Sequence, residues 1–343
     1  MALPETELLS GLLRDVSRSF YLTLHLLPRK VRPQISLAYL LARTTDTIAD
    51  TELVPLEQRL QSLREFRARI QGERQAPLEL GTLARHQGAP AERILLEQCE
   101  TSLGLLQALS PADRELVLAV LRIITSGQEL DLQRFGGATE RAIASLRTDQ
   151  ELEDYTYRVA GCVGEFWTRL CLAHLFPQAG LDAERLLATG VRFGKGLQLV
   201  NILRDVPADL RRGCCYLPAE PLASLGLTPA DLLDPANEPR LRPLYNTYLD
   251  RAEGHLRAGW EYTNALPRRA VRLRLACSWP VLIGWETLQL LRTHNVLDAR
   301  QRIKVGRPRV RQLRLRSVVL YPWRGAWERQ VPGGNVSSGK LLR

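Results

Sequence analysis

Apolar positions recur at three- and four-residue intervals along most of this 343-residue chain, the mark of helices with one buried face. The pattern predicts helices over residues 8–27, 33–50, 55–70, 92–109, 112–134, 151–175, 183–210, 246–264 and 268–293. Ser110-Pro111 and Thr228-Pro229 each set an N-cap residue before a proline suited to the first helical turn. Gly136-Gly137 and Gly213 are stop signals. No convincing alternating strand pattern occurs, and no internal repeat. Residues 217–243 are rich in Pro and Leu and predict a loop with one short helix. The expectation is an all-α fold of about eight to ten helices.

Two polar insertions interrupt this apolar pattern. Asp46 and Asp50 stand four residues apart in Asp46-Thr47-Ile48-Ala49-Asp50. Asp205 and Asp209 do the same in the run from Gln198 to Asp209. On a helix that spacing sets both carboxylates on one face, one turn apart, where like charges repel. A cation that answers such a pair is Mg²⁺, which takes one or two carboxylates together with phosphate oxygens. Tyr39, Arg43, Asp46 and Asp50 share one face by spacing, so Arg43 is placed to hold the same phosphate group. Gln198, Asn201 and Asp205 repeat the logic, with Arg204 one position round the helix. The alternative for each segment is a solvated polar face, with Arg43 and Asp46 as a surface pair of little energetic weight. Pro207 lies between the second two aspartates, so either the helix kinks there or Asp209 sits on a fraying end.

Two weaker signals accompany these. Ser17-Arg18-Ser19 beside Phe20 suits a phosphate, or more commonly a helix cap. Gly161 and Gly164 inside the 151–175 helix imply close approach, of a neighbouring helix or of a long apolar ligand.

The net charge is +10, and only four of the 47 basic residues are lysine (Lys30, Lys195, Lys304 and Lys340). Arginine suits bidentate phosphate binding, although compositional drift explains the bias equally well. Six cysteines without CxxC spacing predict reduced thiols, and scattered histidines argue against zinc. The acidic N-terminus lacks a signal-peptide pattern, and no apolar run reaches bilayer length. After residue 300 the chain turns strongly basic, and residues 331–343 resemble a loose tail. The predicted domain therefore covers residues 1–310, followed by a basic and then loose segment over 311–343.

Ser17-Arg18-Ser19-Phe20, Asp46 through Asp50, Tyr155 through Gly164, and Gln198 through Asp209 with Arg212-Gly213 and Tyr216-Leu217-Pro218 together resemble the squalene/phytoene synthase family, the head-to-head trans-isoprenyl diphosphate synthases. The resemblance runs from about residue 10 to about 310, in the family's order, and is strongest to bacterial squalene synthases. It implies a single-domain isoprenoid synthase fold, a helical bundle around a deep central cavity. Asp46, Asp50, Asp205 and Asp209 would then carry catalysis and, with Asn201, hold Mg²⁺ (or Mn²⁺) on the diphosphates, both pairs converging on one hollow. Ser17, Ser19, Phe20, Tyr39 and Arg43 would line a diphosphate pocket, with Gln198, Asn201 and Arg204 beside the second motif. Tyr155 would stand near the reacting carbons, and Arg43 would join the catalytic set. Lys304 and Arg307 resemble a basic stretch that would receive NADPH. Ala49 departs from eukaryotic squalene synthases, which have a further acidic residue there.

The implied reaction condenses two farnesyl diphosphates to presqualene diphosphate, then reduces it with hydride from NADPH to squalene. Sibling reactions give phytoene, dehydrosqualene or hydroxysqualene, and the shared motifs do not separate them. A nucleic-acid-binding helical protein is the remote alternative; it leaves both aspartate pairs unexplained and lacks a helix-turn-helix signal. The expected setting is cytoplasmic, including a peripheral place at the inner membrane face.

Overall fold

The computed structural model describes residues 11–16 and 24–332. Their regular structure is almost entirely helical, as the periodicity predicts, and they fall into two compact units. One comprises the residues up to Gly137 together with Phe166–Gln178; the other comprises Ala138–Glu165 and the residues from Ala179 onward.

In the first unit, helix α1 (Arg32–Asp50) packs against α2 (Leu56–Gln71), α3 (Pro90–Glu97) and α4 (Pro111–Phe135). Its buried stripe includes Leu37, Leu41, Thr44 and Ile48. Two buried threonines satisfy their hydroxyls locally: Thr44 donates to Leu40 O at 2.9 Å, and Thr51, just past the helix end, to Thr47 O at 2.6 Å. The start of α4 is capped as expected, the Ser110 side chain accepting from Asp113 N at 3.2 Å. Asp113 is itself buried, accepting from Gln34 Nε2 at 3.1 Å and lying 2.6 Å from His174 Nε2. Burial raises the Asp113 pKa, but the contacts to His174 and Gln34 outweigh it and hold the carboxyl below its ordinary value. The single helix expected over 92–109 is broken into α3, a turn of helix at Cys99–Gly104 and a 3₁₀ turn at Leu105–Ala108.

In the second unit, α5 (Asp149–Thr156) runs through a π-helical turn, Tyr157–Gly161, to the start of α6 (Cys162–Leu175). Helix α7 (Ala183–Arg211) packs along α8 (Glu238–Ala265), α8 on α9 (Val271–Thr293), and α9 on α10 (Arg307–Leu320). Helix α8 starts earlier than the predicted residue 246, because Pro239 falls in its first turn, where a missing N–H costs nothing. The only sheet among the described residues pairs β1 (Ala144–Ser145) with β2 (Cys214–Cys215) in parallel. Gly213 turns the chain into β2 with φ +83°, and a Cβ there would come within 2.3 Å of Thr139 N. All six cysteines are buried and none forms a disulfide; burial pushes the Cys162 and Cys215 thiols up to about 12, so neither is a poised nucleophile.

The expected domain edge at residue 310 falls inside α10, and α11 (Arg324–Glu328) follows. Trp327 of α11 is buried and stacks on Trp260 at 5.2 Å between ring centroids, while Trp260 Nε1 donates to Glu328 O at 3.1 Å. Trp279 Nε1 reaches Ser317 Oγ at 2.9 Å. The basic segment through residue 328 is thus pinned to the second unit by tryptophans, a role that its charge does not announce.

Helix α7 does not stop at Pro207. A proline there cannot donate to the carbonyl of Leu203, four residues back. The Tyr245 hydroxyl, from α8, donates to that carbonyl instead at 2.8 Å, deep in the core. Burial drives the Tyr245 pKa far up, so the group stays a donor. Substituting Tyr245→Phe should strand a buried carbonyl and cost about 1–3 kcal/mol, read as a lower free energy of urea unfolding. Unchanged stability would show that Leu203 O finds another donor.

Candidate functional site

The first aspartate pair projects from the face of α1 that packing leaves free. Tyr39, Arg43 and Asp46 are half-buried and Asp50 is exposed, while the residues between them form the core stripe. The predicted shared face is therefore real. Arg43 bridges two acids, donating from Nη1 to Asp46 and from Nη2 to Glu92 in the first turn of α3. Burial alone would lower the Arg43 pKa, but Asp46, Glu92 and Asp50 raise it. Its Nε is buried with no hydrogen-bond partner among the described residues. Asp46 keeps 42% of its side-chain surface, so its carboxylate remains reachable by a solute. The Tyr39 hydroxyl approaches Val16 O at 3.5 Å. At the end of α1, buried Arg59 donates to Ala49 O at 2.6 Å, close enough that Asp50 and Glu52 raise its pKa against the larger lowering by burial.

The second pair is built the same way. The buried side of α7 carries Leu199, Ile202, Leu203, Val206 and Leu210. Gln198, Arg204, Asp205 and Asp209 stand half-buried on the rest of its surface, and Asn201 is exposed. Arg204 forks onto its neighbour, Nε to Asp205 Oδ1 at 2.9 Å and Nη2 to Oδ2 at 2.5 Å. That hydrogen bonding raises the Arg204 pKa, with Asp209 adding to it and burial opposing. Arg212 Nη2 lies 3.9 Å from Asp209 Oδ1. Because α7 continues to Arg211, Asp209 sits within the helix and not on a frayed end.

Beside α7, the Tyr155 ring lies on Tyr216 with centroids 4.8 Å apart. The glycines of this segment serve helix contact. A Cβ on Gly164 would meet Gly190 O at 1.9 Å, and one on Gly194 would meet Ala160 O at 2.1 Å. Of the two sequence readings, close approach of helices accounts for Gly164. The π turn adds a residue at this crossing, with Cys162 N bonded to Tyr157 O. Lys195 joins Glu153 at 2.5 Å and lies over the Tyr157 ring at 5.6 Å.

Ser17, Ser19 and Phe20 lie outside the described residues. Lys304 and Arg307 are exposed, the latter opening α10. Glu92 and Arg59 were not foreseen, since their partners lie 49 and 10 residues away and leave no periodic trace. Among the described residues no three His, Cys, Asp or Glu side chains gather into a metal-sized group. Each unit instead offers a two-carboxylate edge of hard oxygen donors, with an arginine in contact. That is the donor chemistry of a Mg²⁺ ion completed by phosphate oxygens and water, and it fits.

The model of the squalene/phytoene synthases matches residues 13–309. The chain belongs to the squalene/phytoene synthase family. It is 29% identical to a presqualene diphosphate synthase of Rhodopseudomonas palustris, over 84% of this chain and 88% of that protein. It is 29% identical to a 15-cis-phytoene synthase of Synechocystis, over 82% of this chain and 72% of that protein. Among solved structures, TcSQS in complex with the ligand E5700 superposes with a TM-score of 0.76 at 21% identity, covering 96% of this chain and 89% of that one. The helical fold is thus that of the squalene synthase structures, and head-to-head condensation is the reaction type that comes with the family.

A half-buried histidine lies behind the helix that carries the second aspartate pair. His255 of α8 lies against Gly196 of α7. Burial lowers its pKa from 6.5 to about 4; Glu153 opposes the shift, and Arg192, Lys195 and Arg251 add to it. The folded state therefore resists a proton that the unfolded chain accepts. Its contribution to stability is complete above pH 6.5, declines as the pH falls, and levels off below about pH 4. His255→Gln should flatten the decline in unfolding free energy between pH 6.5 and 4.5, measured by denaturant titration at each pH. An identical slope in both proteins would refute the assignment.

Proposed function

We propose that the protein condenses two farnesyl diphosphates head to head, through presqualene diphosphate, and delivers squalene by reduction with NADPH. The observation that carries this reading is the pair of matched edges. On each of two long helices, carboxylates one turn apart stand clear of the core with a guanidinium in contact. A core-packing role would bury these side chains, and Arg43 engages two separate acids.

Asp46 and Asp50 on α1, and Asn201, Asp205 and Asp209 on α7, would hold Mg²⁺ or Mn²⁺, which supplies charge neutralisation for a departing diphosphate. Arg43 and Arg204 supply fixed N–H donors that stay charged at every working pH. Both are now bonded to carboxylates, so an arriving diphosphate would exchange one anionic partner for another instead of meeting a bare, hydrated cation. Tyr39, Gln198 and Asn201 add polar contacts along the same faces. Tyr155, packed against Tyr216, would offer an aromatic surface to cationic carbon. Lys304 and Arg307, exposed and without carboxylate partners among the described residues, fit the phosphates of NADPH, the hydride donor. Among the described residues no helix is long and apolar enough to cross a membrane. Peripheral contact through the late arginines belongs to the same proposal, since the product is a hydrocarbon.

The relatives include a presqualene diphosphate synthase and a phytoene synthase, so product identity is the point to test. Incubation with farnesyl or geranylgeranyl diphosphate and Mg²⁺, with and without NADPH, should give squalene only from the C15 substrate with reductant. Phytoene, dehydrosqualene or hydroxysqualene would move the assignment to that sibling reaction. Asp46→Asn and Asp205→Asn should each lower turnover by about 10²-fold or more while the helical circular-dichroism spectrum persists. Full turnover in either variant would overturn the metal-edge assignment.

A further inference from the structure

Beyond the aspartate edges, the second unit holds a cavity of about 210 Å³ where α8 ends, α9 begins and α11 docks. Asn264, Arg268, Arg274, Tyr321, Arg324 and Trp327 line it, together with Glu328. The walls at 321–328 lie past residue 309, where the family match stops.

Arg274 is only 4% exposed, yet no carboxylate pairs with it. Its Nη1 donates to Leu266 O at 3.3 Å and its Nη2 to Asn264 Oδ1 at 2.6 Å, with the guanidinium 5.6 Å from the Tyr321 ring centroid and 5.5 Å from that of Trp327. Its Nε has no partner. Asn264 Oδ1 also accepts from Trp327 Nε1 at 2.7 Å, which fixes the amide so that Nδ2 is the second buried donor without an acceptor. Arg268 Nη2 reaches only the backbone carbonyls of Tyr321 and Pro322, at 3.0 and 3.1 Å. The one acid, Glu328, is taken by Arg324 Nε at 2.8 Å. Three guanidiniums therefore face one carboxylate, and two buried donors lack the oxygen that buried donors nearly always have.

We propose that this cavity is a phosphate-binding site. A phosphate group offers several acceptor oxygens to a guanidinium fork and an amide at once, and its charge answers the excess of arginine. The group can come from a free phosphate or diphosphate or from an anionic phospholipid headgroup. The same segment exposes Leu315, Val318, Val319 and Trp323, the last at 61%, which suits the second source. The inference is independent of the proposed reaction, and it is tested by binding without turnover.

The test titrates the full chain with inorganic phosphate and pyrophosphate by calorimetry. In parallel, the protein is cosedimented with vesicles of phosphatidylcholine alone or mixed with phosphatidylglycerol at constant ionic strength. Arg274→Gln would also disturb the tryptophan packing, so the exposed Arg268 and Arg324 carry the test. Arg268→Gln and Arg324→Gln should each weaken binding by about ten-fold or more. Arg311→Gln removes the same charge from an exposed position that does not line the cavity, and it should change binding by less than about three-fold. Tight binding of the soluble anions alone assigns the site to free phosphate; binding of mixed vesicles alone assigns it to a headgroup. Equal losses in all three variants, or no binding in either arm, overturn the proposal.

Discussion

Two carboxylates one helical turn apart repel, and the way this chain answers that repulsion organises both candidate edges. The cost of a like-charged pair at this spacing is modest, a few tenths of a kcal/mol on an exposed helix. Arginines already present can offset it. Arg43 lies between Asp46 and Glu92, Arg59 closes the end of the same helix near Asp50, Arg204 forks onto Asp205, and Arg212 approaches Asp209. Neither helix therefore needs a metal in order to fold. Part of the repulsion is thus met internally, by groups that suit diphosphate as well as carboxylate.

What could be read from the sequence was what repeats locally. The free face of α1 followed from spacings of four, three and four, and the caps at Ser110 and Thr228 followed from single residues before proline. What escaped depended on contacts made across the chain. Pro207 left two readings open because the group that resolves them, the Tyr245 hydroxyl, lies 42 residues from Leu203, on the next long helix. Glu92 looked like any acid in a first helical turn until α3 packed on α1. The π turn at Tyr157–Gly161 has no period of its own in a pattern that otherwise reads as one helix.

Gly164 shows how a local signal can be seen and still be ambiguous. A glycine in a helix costs stability, so its presence asks for a reason, and both an apolar ligand and a neighbouring helix would supply one. Only the 1.9 Å that would separate a Cβ from Gly190 O decides for the helix. This contact presses the start of α6 against α7, the helix that carries the second aspartate pair.

The arginine bias yields to the same kind of argument. Composition alone could not separate drift from use, because a single guanidinium on a surface means little. In the structure many of them end helices. Arg59 bonds Ala49 O at the end of α1, Arg211 bonds Pro207 O at the end of α7, and Arg274 bonds Leu266 O at the end of α8. Arg242 spans two carbonyls at the end of α9, those of Leu291 and His294, at 2.9 and 2.6 Å. Helix C-termini carry unsatisfied carbonyls and a partial negative charge, so a cation there gains on both counts. A planar fork can take two such carbonyls at once, which a lysine ammonium on a flexible stem does with less geometric definition. Drift toward arginine in an all-α protein therefore supplies helix-end donors wherever α-helices stop. Arg43 and Arg204 do no such work: they bond instead to Asp46 and Glu92 and to Asp205, on the faces of α1 and α7 that packing leaves free.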